Sequence, residues 1–182
     1  MPRFLKNPAV QYLGLFALLA VTFFSVLATP WAERLFVQPF TQLLVDISAN
    51  ITRPFDSRVV AEGDILRFSD GIGAVRVLAG CNAVEVCALL AAAILAFPGR
   101  LRDGLIGASV GILALQTVNL LRIISLLYLS RGSVEMFEFF HLYVWDAMIG
   151  LEGLLVFFIW TRWQSKRPGK TPIAQPAGKE AA

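Results

Sequence analysis

The sequence is short of charge, of histidine and of cysteine. Only 16% of its 182 residues are Asp, Glu, Lys or Arg, against about 25% in an average soluble domain. So little charge cannot cover a soluble surface when 57% of the residues are hydrophobic and mean hydropathy is +0.66. One histidine and two cysteines exclude the ligand spacings of a structural zinc site. There is no CxxC, GxSxG or phosphate loop, and no metal or cofactor is expected. No internal repeat is visible. The net charge of +3 raises the question of nucleic acid. That partner is rejected, because the basic residues stand beside apolar runs of spanning length, where they set topology.

The length suits one domain. The apolar residues gather into four runs: 12–29, 82–97, 105–129 and about 139–161. A membrane-crossing helix needs about 20 mainly apolar residues, so the second run is short. The first run follows Arg3 and Lys6 as a signal peptide would. It exceeds the usual h-region of about 7–15 residues, and a retained anchor is expected. The fold class expected is an all-α polytopic membrane protein with about four transmembrane helices. Residues 1–167 form its single integral membrane domain. The tail 168–182, rich in Pro, Ala, Gly and Lys, is expected to be disordered and cytoplasmic.

Orientation follows from short basic segments. Arg3 and Lys6, then Arg100 and Arg102, then Arg162, Lys166, Arg167 and Lys170 all fall on one side of a four-span topology. Lys and Arg mark the cytoplasmic side. Both termini are therefore expected in the cytoplasm, with the region 31–78 outside. Within that region, Leu35, Phe36, Phe40, Leu43, Leu44 and Ile47 have the spacing of an amphipathic helix lying on the membrane surface. Pro54 ends it. The segments Val59-Val60, Ile65–Phe68 and Val75–Leu78 are β-type, separated by Gly63-Asp64-type and Asp70–Gly73 turn chemistry. A small β-hairpin leading to Cys81 is expected, with Val75–Leu78 as its exposed edge.

Polar residues inside an apolar bundle are costly and therefore informative. The second span opens with Gly80-Cys81-Asn82 and carries Glu85. The third carries Gln116, Asn119 and Arg122; the fourth carries His141, Asp146 and Glu152. The topology sets Cys81, Arg122 and His141 at similar depth near the outer face. A thiol, an imidazole and a guanidinium suit acyl transfer. The thiol attacks a carbonyl, the imidazole moves a proton, and the guanidinium receives the developing oxyanion. Cys81 and His141 are each placed at a helix N-terminus, where the macrodipole acts on them. Glu85 is a supporting candidate, pairing with Arg122 or orienting a donor. Asn82 and Asn119 are supporting candidates too, and Gln116 and Asn119 also fit as interhelical hydrogen-bond partners. Glu152 is read as structural and Asp146 is unassigned. Cys87 lies six residues from Cys81, about 9 Å along a helix, too far for a disulfide. It is read as packing. The same residues also fit a non-enzymatic membrane assembly or transport subunit, or a membrane thiol oxidoreductase.

The pattern Gly80-Cys81-Asn82, then Asn119-Leu120-Leu121-Arg122, then His141 resembles the exosortase/archaeosortase family. The stretches Ala91–Pro98, Ala114–Tyr128 and Phe137–Trp145 are closest to its short subgroup, exosortase H. The likeness covers about residues 58–160. The resemblance implies a multi-pass enzyme of the bacterial inner membrane, with sortase-type chemistry but not the sortase fold. Its implied partners are membrane lipids and exported proteins that end in a short motif, a transmembrane helix and a basic cluster. The motif implied for the subgroup is of Ile-Pro-Thr-Leu type. The family's catalytic Cys, Arg and His map onto Cys81, Arg122 and His141. Many relatives have Gly where this chain has Ala83, which bears on the local backbone.

Overall fold

An apolar run in lipid must satisfy its own backbone hydrogen bonds, and a helix does so within one segment. The computed structural model describes residues 7–166, so the expected tail at 168–182 lies outside the described residues. Helix α1 spans Pro8–Leu27, entered through Asn7, whose side chain accepts from the Ala9 amide. Helix α2 runs through Pro30–Ala32, a widened π-helical turn at Glu33–Val37, and Gln38–Thr52. Three strands follow: β1 (Val59–Glu62), β2 (Ile65–Phe68) and β3 (Ala74–Arg76). Helix α3 is Val84–Ala96 and α4 is Leu101–Leu129. Helix α5 covers Val134–Phe139, a π-helical turn at Phe140–Val144, and Trp145–Ser165.

Among the described residues, three helices are long and apolar enough to cross a membrane: α1, α4 and α5 over Val134–Ser165. The fourth apolar helix, α3, has 13 residues and is about 20 Å long, against a hydrocarbon core of about 30 Å. The expectation of an all-α, multi-pass membrane protein holds, with one helix cut short. It begins at Val84 rather than Asn82, and Cys81–Ala83 is irregular backbone ahead of it. The last helix begins at Val134, earlier than expected, because the Ser133 side chain caps it by accepting from the Met136 amide.

Neighbouring helices run in alternating directions. Tyr12 near the start of α1 meets Phe97 just past the end of α3, and Trp160 near the end of α5 meets the same ring. One end of the bundle therefore gathers Arg100, Arg102, Arg162 and Lys166, and the other carries α2 and the sheet as a cap. Helix α4 has 29 residues, about 43 Å, so it outreaches the hydrocarbon core and its last turns support the cap.

The cap corrects one expectation. The expected hairpin is a three-stranded antiparallel meander in the order β1-β2-β3, because both predicted turns reverse the chain. Leu66 and Phe68 of β2, Val59 of β1 and Val75 and Val77 around β3 are buried with Leu44, Val45 and Ala49 of α2 and Ile123, Leu126 and Leu127 of α4. The apolar surface of α2 is split. Leu44 turns inward beside Thr41, Val45, Ser48 and Ala49, while Leu35, Phe36 and Leu43 remain exposed. Thr41, Ser48 and Thr52 are buried without penalty because each hydroxyl donates to the carbonyl one turn back, at 2.7–2.8 Å.

The opposite half has a separate cluster of Cys87, Leu90, Ile94, Ala108, Leu115 and Trp160. Association of helices in lipid relies on close packing at small residues. Gly107 is the extreme case, since a Cβ there would stand 2.0 Å from Trp160 Nε1.

Candidate active site

The short α3 creates the site. Its first turn lies below the cap, and the chain must cross the gap through Gly80–Ala83 without a helix. Irregular backbone at this depth is tolerated only where protein satisfies it. The Cys81 amide donates to Leu78 O at 2.9 Å. The Asn82 carbonyl accepts from Gln116 Nε2 at 3.0 Å. Asn82 itself is fully buried: its Oδ1 accepts from the Val84 amide at 3.1 Å, and its Nδ2 donates to Thr41 Oγ1 at 2.9 Å. Asn82 is thus a clamp joining α2, α3 and α4, and Asn119 continues it by donating to Gln116 Oε1 at 3.3 Å.

Ala83 enters α3 with φ 56° and ψ 17°, the only non-glycine residue at positive φ among those described. An L-residue pays roughly 1–2 kcal/mol in that left-handed region. The departure from glycine noted in the sequence falls on a position where glycine is conformationally preferred. The strained turn sits two residues after Cys81, so the neighbouring contacts over-determine it.

Cys81, Arg122 and His141 meet. Cys81 Sγ lies 3.3 Å from His141 Nε2, and Arg122 Nη2 lies 4.0 Å from the same sulfur. All three line a cavity of about 290 Å³, closed on its other sides by Ala74–Val77, Ile123, Leu126 and Phe137. The ring of Phe137, one turn before His141, lies 5.6 Å from the imidazole and limits its rotation. Cys81 and His141 are half-buried.

Glu85 does not pair with Arg122. The guanidinium pairs with Asp146, Nη2 to Oδ1 at 2.9 Å. The two partners are unequally covered, with side-chain exposures of 3% for Arg122 and 57% for Asp146. Most of the desolvation therefore falls on the arginine, and Asp146 is what makes its burial tolerable. Arg122 Nε keeps no partner, so the guanidinium retains a free donor. Glu85 Oε2 is buried without a partner, as is Glu152 Oε2. Cys87 receives a hydrogen bond from Gln116 Nε2 at 3.4 Å and lies apart from the cavity.

Asp146 is the residue whose place the sequence did not disclose. Five residues after His141, it would point about 140° away on a regular α-helix. The π-helical turn changes this. The Trp145 amide bonds to Phe140 O, a five-residue closure, so the fifth residue comes back to nearly the same face. One helix then presents His141 to the thiol and Asp146 to the guanidinium. Nor does His141 stand at a helix N-terminus as expected; it lies within the helix, at this turn. Thr41, the partner of Asn82, was also missed, since nothing in its local sequence separates it from other helix threonines.

A family model described as transmembrane exosortase matches residues 9–161. The chain belongs to that family. No curated protein and no solved structure matches it. In this exosortase the matched segment includes Cys81, Arg122, His141 and Asp146, and also the cap that closes the cavity over them.

Proposed function

We propose that this exosortase is a membrane-embedded cysteine peptidase or transpeptidase that removes the C-terminal sorting tail of exported proteins. The observation that carries this reading is the approach of Cys81 Sγ to His141 Nε2 at 3.3 Å with the Arg122 guanidinium 4.0 Å from the sulfur. His141 Nε2 takes the thiol proton as Sγ attacks the scissile carbonyl. A C–S bond forms, and the carbonyl π pair moves to oxygen, where Arg122 receives it. The intermediate collapses, the C–N bond breaks, and the leaving amine takes the proton held by His141. The thioester that remains is resolved by water or an amine. That acceptor gives a proton to His141 as it attacks, and the proton returns to the sulfur. Asn82, Asn119 and Glu85 act as supports behind this site, and Asp146 holds Arg122 in position.

The membrane is the bacterial inner membrane. Both termini are cytoplasmic, residues 1–167 form one membrane domain with lipid around it, and the cap and site face the periplasm. The basic residues at the end of the bundle away from the cap support this orientation. Topology reporters fused at Ser57 and after Lys170 are expected to report opposite sides. A cytoplasmic signal at Ser57 overturns the placement. The activity is tested with an exported reporter ending in an Ile-Pro-Thr-Leu-type motif, a spanning helix and a basic cluster. Membranes with the intact enzyme are expected to shorten it, through a hydroxylamine-sensitive adduct on Cys81. Normal shortening by Cys81→Ala overturns the reading.

A further inference from the structure

The sheet ends on an unpaired edge, and that edge opens into the cavity. In the order β1-β2-β3, β3 has a neighbour on one side only. Its register pairs Leu66 with Val75. One step outward, Phe68 N donates to Gly73 O at 3.2 Å and Val77 N donates to Asp64 O at 2.8 Å. Hydrogen-bonded pairs alternate along an antiparallel ladder, so Val75 also directs its N–H and C=O to β2. The N–H and C=O of Ala74 and Arg76 therefore point away from the sheet. Among the described residues they form no other hydrogen bond. Within the edge expected from the sequence at Val75–Leu78, Val75 and Val77 bond toward the sheet and Arg76 points outward.

The edge is held rigid. Arg131, just beyond the end of α4, lies 4.4 Å above the Phe68 ring and pairs with Asp70 at 3.2 Å. Gly73, at φ +94°, fits so closely under it that a Cβ would stand 2.8 Å from Arg131 Cγ and Ser130 Oγ. Unsatisfied edges are normally covered, charged or twisted away. Here the free groups share the 290 Å³ cavity with Cys81, Arg122 and His141. A helix with side chains is about 10 Å across, so this space suits an extended chain.

We propose that β3 binds the motif of the sorting tail as a fourth strand, through the backbone groups of Ala74 and Arg76, and so lays the scissile bond across Cys81. Main-chain bonding gives affinity in such strand addition, while side chains at alternate positions give specificity. This inference rests on the activity proposed above, and the test separates the two. Ala74→Pro and Arg76→Pro remove outward donors at an edge, where proline is tolerated. Each is expected to lower kcat/KM for the reporter roughly three- to tenfold, the effect of one backbone hydrogen bond. Membrane abundance and the alkylation rate of Cys81 are expected to stay unchanged. In parallel, Arg76→Cys in a Cys81→Ala, Cys87→Ser background is paired with single cysteines along the reporter's motif. Disulfide capture is expected at every second motif residue, the signature of a strand.

Cleavage at the normal rate by both proline variants, or capture without a two-residue period, overturns the strand dock and leaves the peptidase reading standing. Alternating capture with no cleavage by the intact enzyme overturns the peptidase reading and supports the dock. Absence of both cleavage and capture overturns both.

Discussion

The two cysteines of this exosortase lie six residues apart and belong to different halves of the molecule. Cys87 is on α3, buried in the cluster with Leu90, Ile94 and Leu115. Cys81 borders the other cluster, where the sheet, α2 and the last turns of α4 pack together. The inner half is side chain against side chain between regular helices. The cap half is interrupted backbone held by side chains. What distinguishes the two thiols is the interruption. It brings an imidazole and a guanidinium from two other helices to Cys81, while Cys87 meets only an amide. Reactive geometry arises at the joint between the halves, where α3 is too short to reach the surface.

The largest effect expected from breaking this contrast is at the thiols. Cys81→Ala is expected to abolish reporter processing, by a factor on the order of a thousand or more, while Cys87→Ser keeps most of it. Iodoacetamide is expected to label Cys81 and spare Cys87, with His141→Ala slowing the labelling. Equal labelling of the two cysteines in the native protein would erase the contrast. Next comes the ion pair. Arg122→Ala is expected to cost about a hundredfold in kcat, the usual loss for an oxyanion donor. Asp146→Ala alone leaves a buried guanidinium unpaired and is expected to lower both abundance and rate. Measuring the double variant at equal abundance decides between roles: an oxyanion donor is not rescued, whereas a purely structural pair recovers activity.

The inner half is tested at Gly107. Gly107→Leu must displace the Trp160 indole and is expected to destabilise the protein by about 1–3 kcal/mol, read from unfolding in detergent. A neutral result would show that α4 and α5 do not approach so closely. A smaller effect of opposite sign is expected at the joint. Ala83→Gly relieves the positive φ and is expected to stabilise by about 0.5–1 kcal/mol. The smallest effect belongs to the clamp on the sheet. The Asp70 carboxyl is held below its ordinary value of 3.8 by the Ile72 amide first, then by Arg131 and Arg58. A lowered folded pKa lends stability that is complete above pH 3.8 and is lost as pH falls through the lowered value. Asp70→Asn is expected to remove that acid sensitivity of the cap by lowering its neutral-pH stability slightly, to the level the native protein reaches in acid, measured by acid titration of the Tyr and Trp fluorescence.

Much of this was legible in one dimension. Four apolar runs separated by basic or turn-rich segments predict helices that alternate in direction, and alternation alone assigns Cys81, Arg122 and His141 to one end. Residue chemistry then limits what they do together. These inferences need only the hydrophobic thickness of a bilayer and the handful of polar residues it admits. Three-dimensional packing decided the rest. The third strand, the start of α3 at Val84 and the burial of Thr41 against Asn82 depend on contacts between segments far apart in the chain, to which local patterning is blind. Asp146 is the sharpest case. A period of 3.6 residues puts it on a different face from His141, and the widened turn in α5 lets one helix present His141 to the thiol and Asp146 to Arg122. The sequence by itself determined which side chains lie at the depth of the site. The tertiary structure decided that Arg122 answers to Asp146 rather than Glu85, because a buried guanidinium takes whichever carboxylate the packed backbone delivers to it.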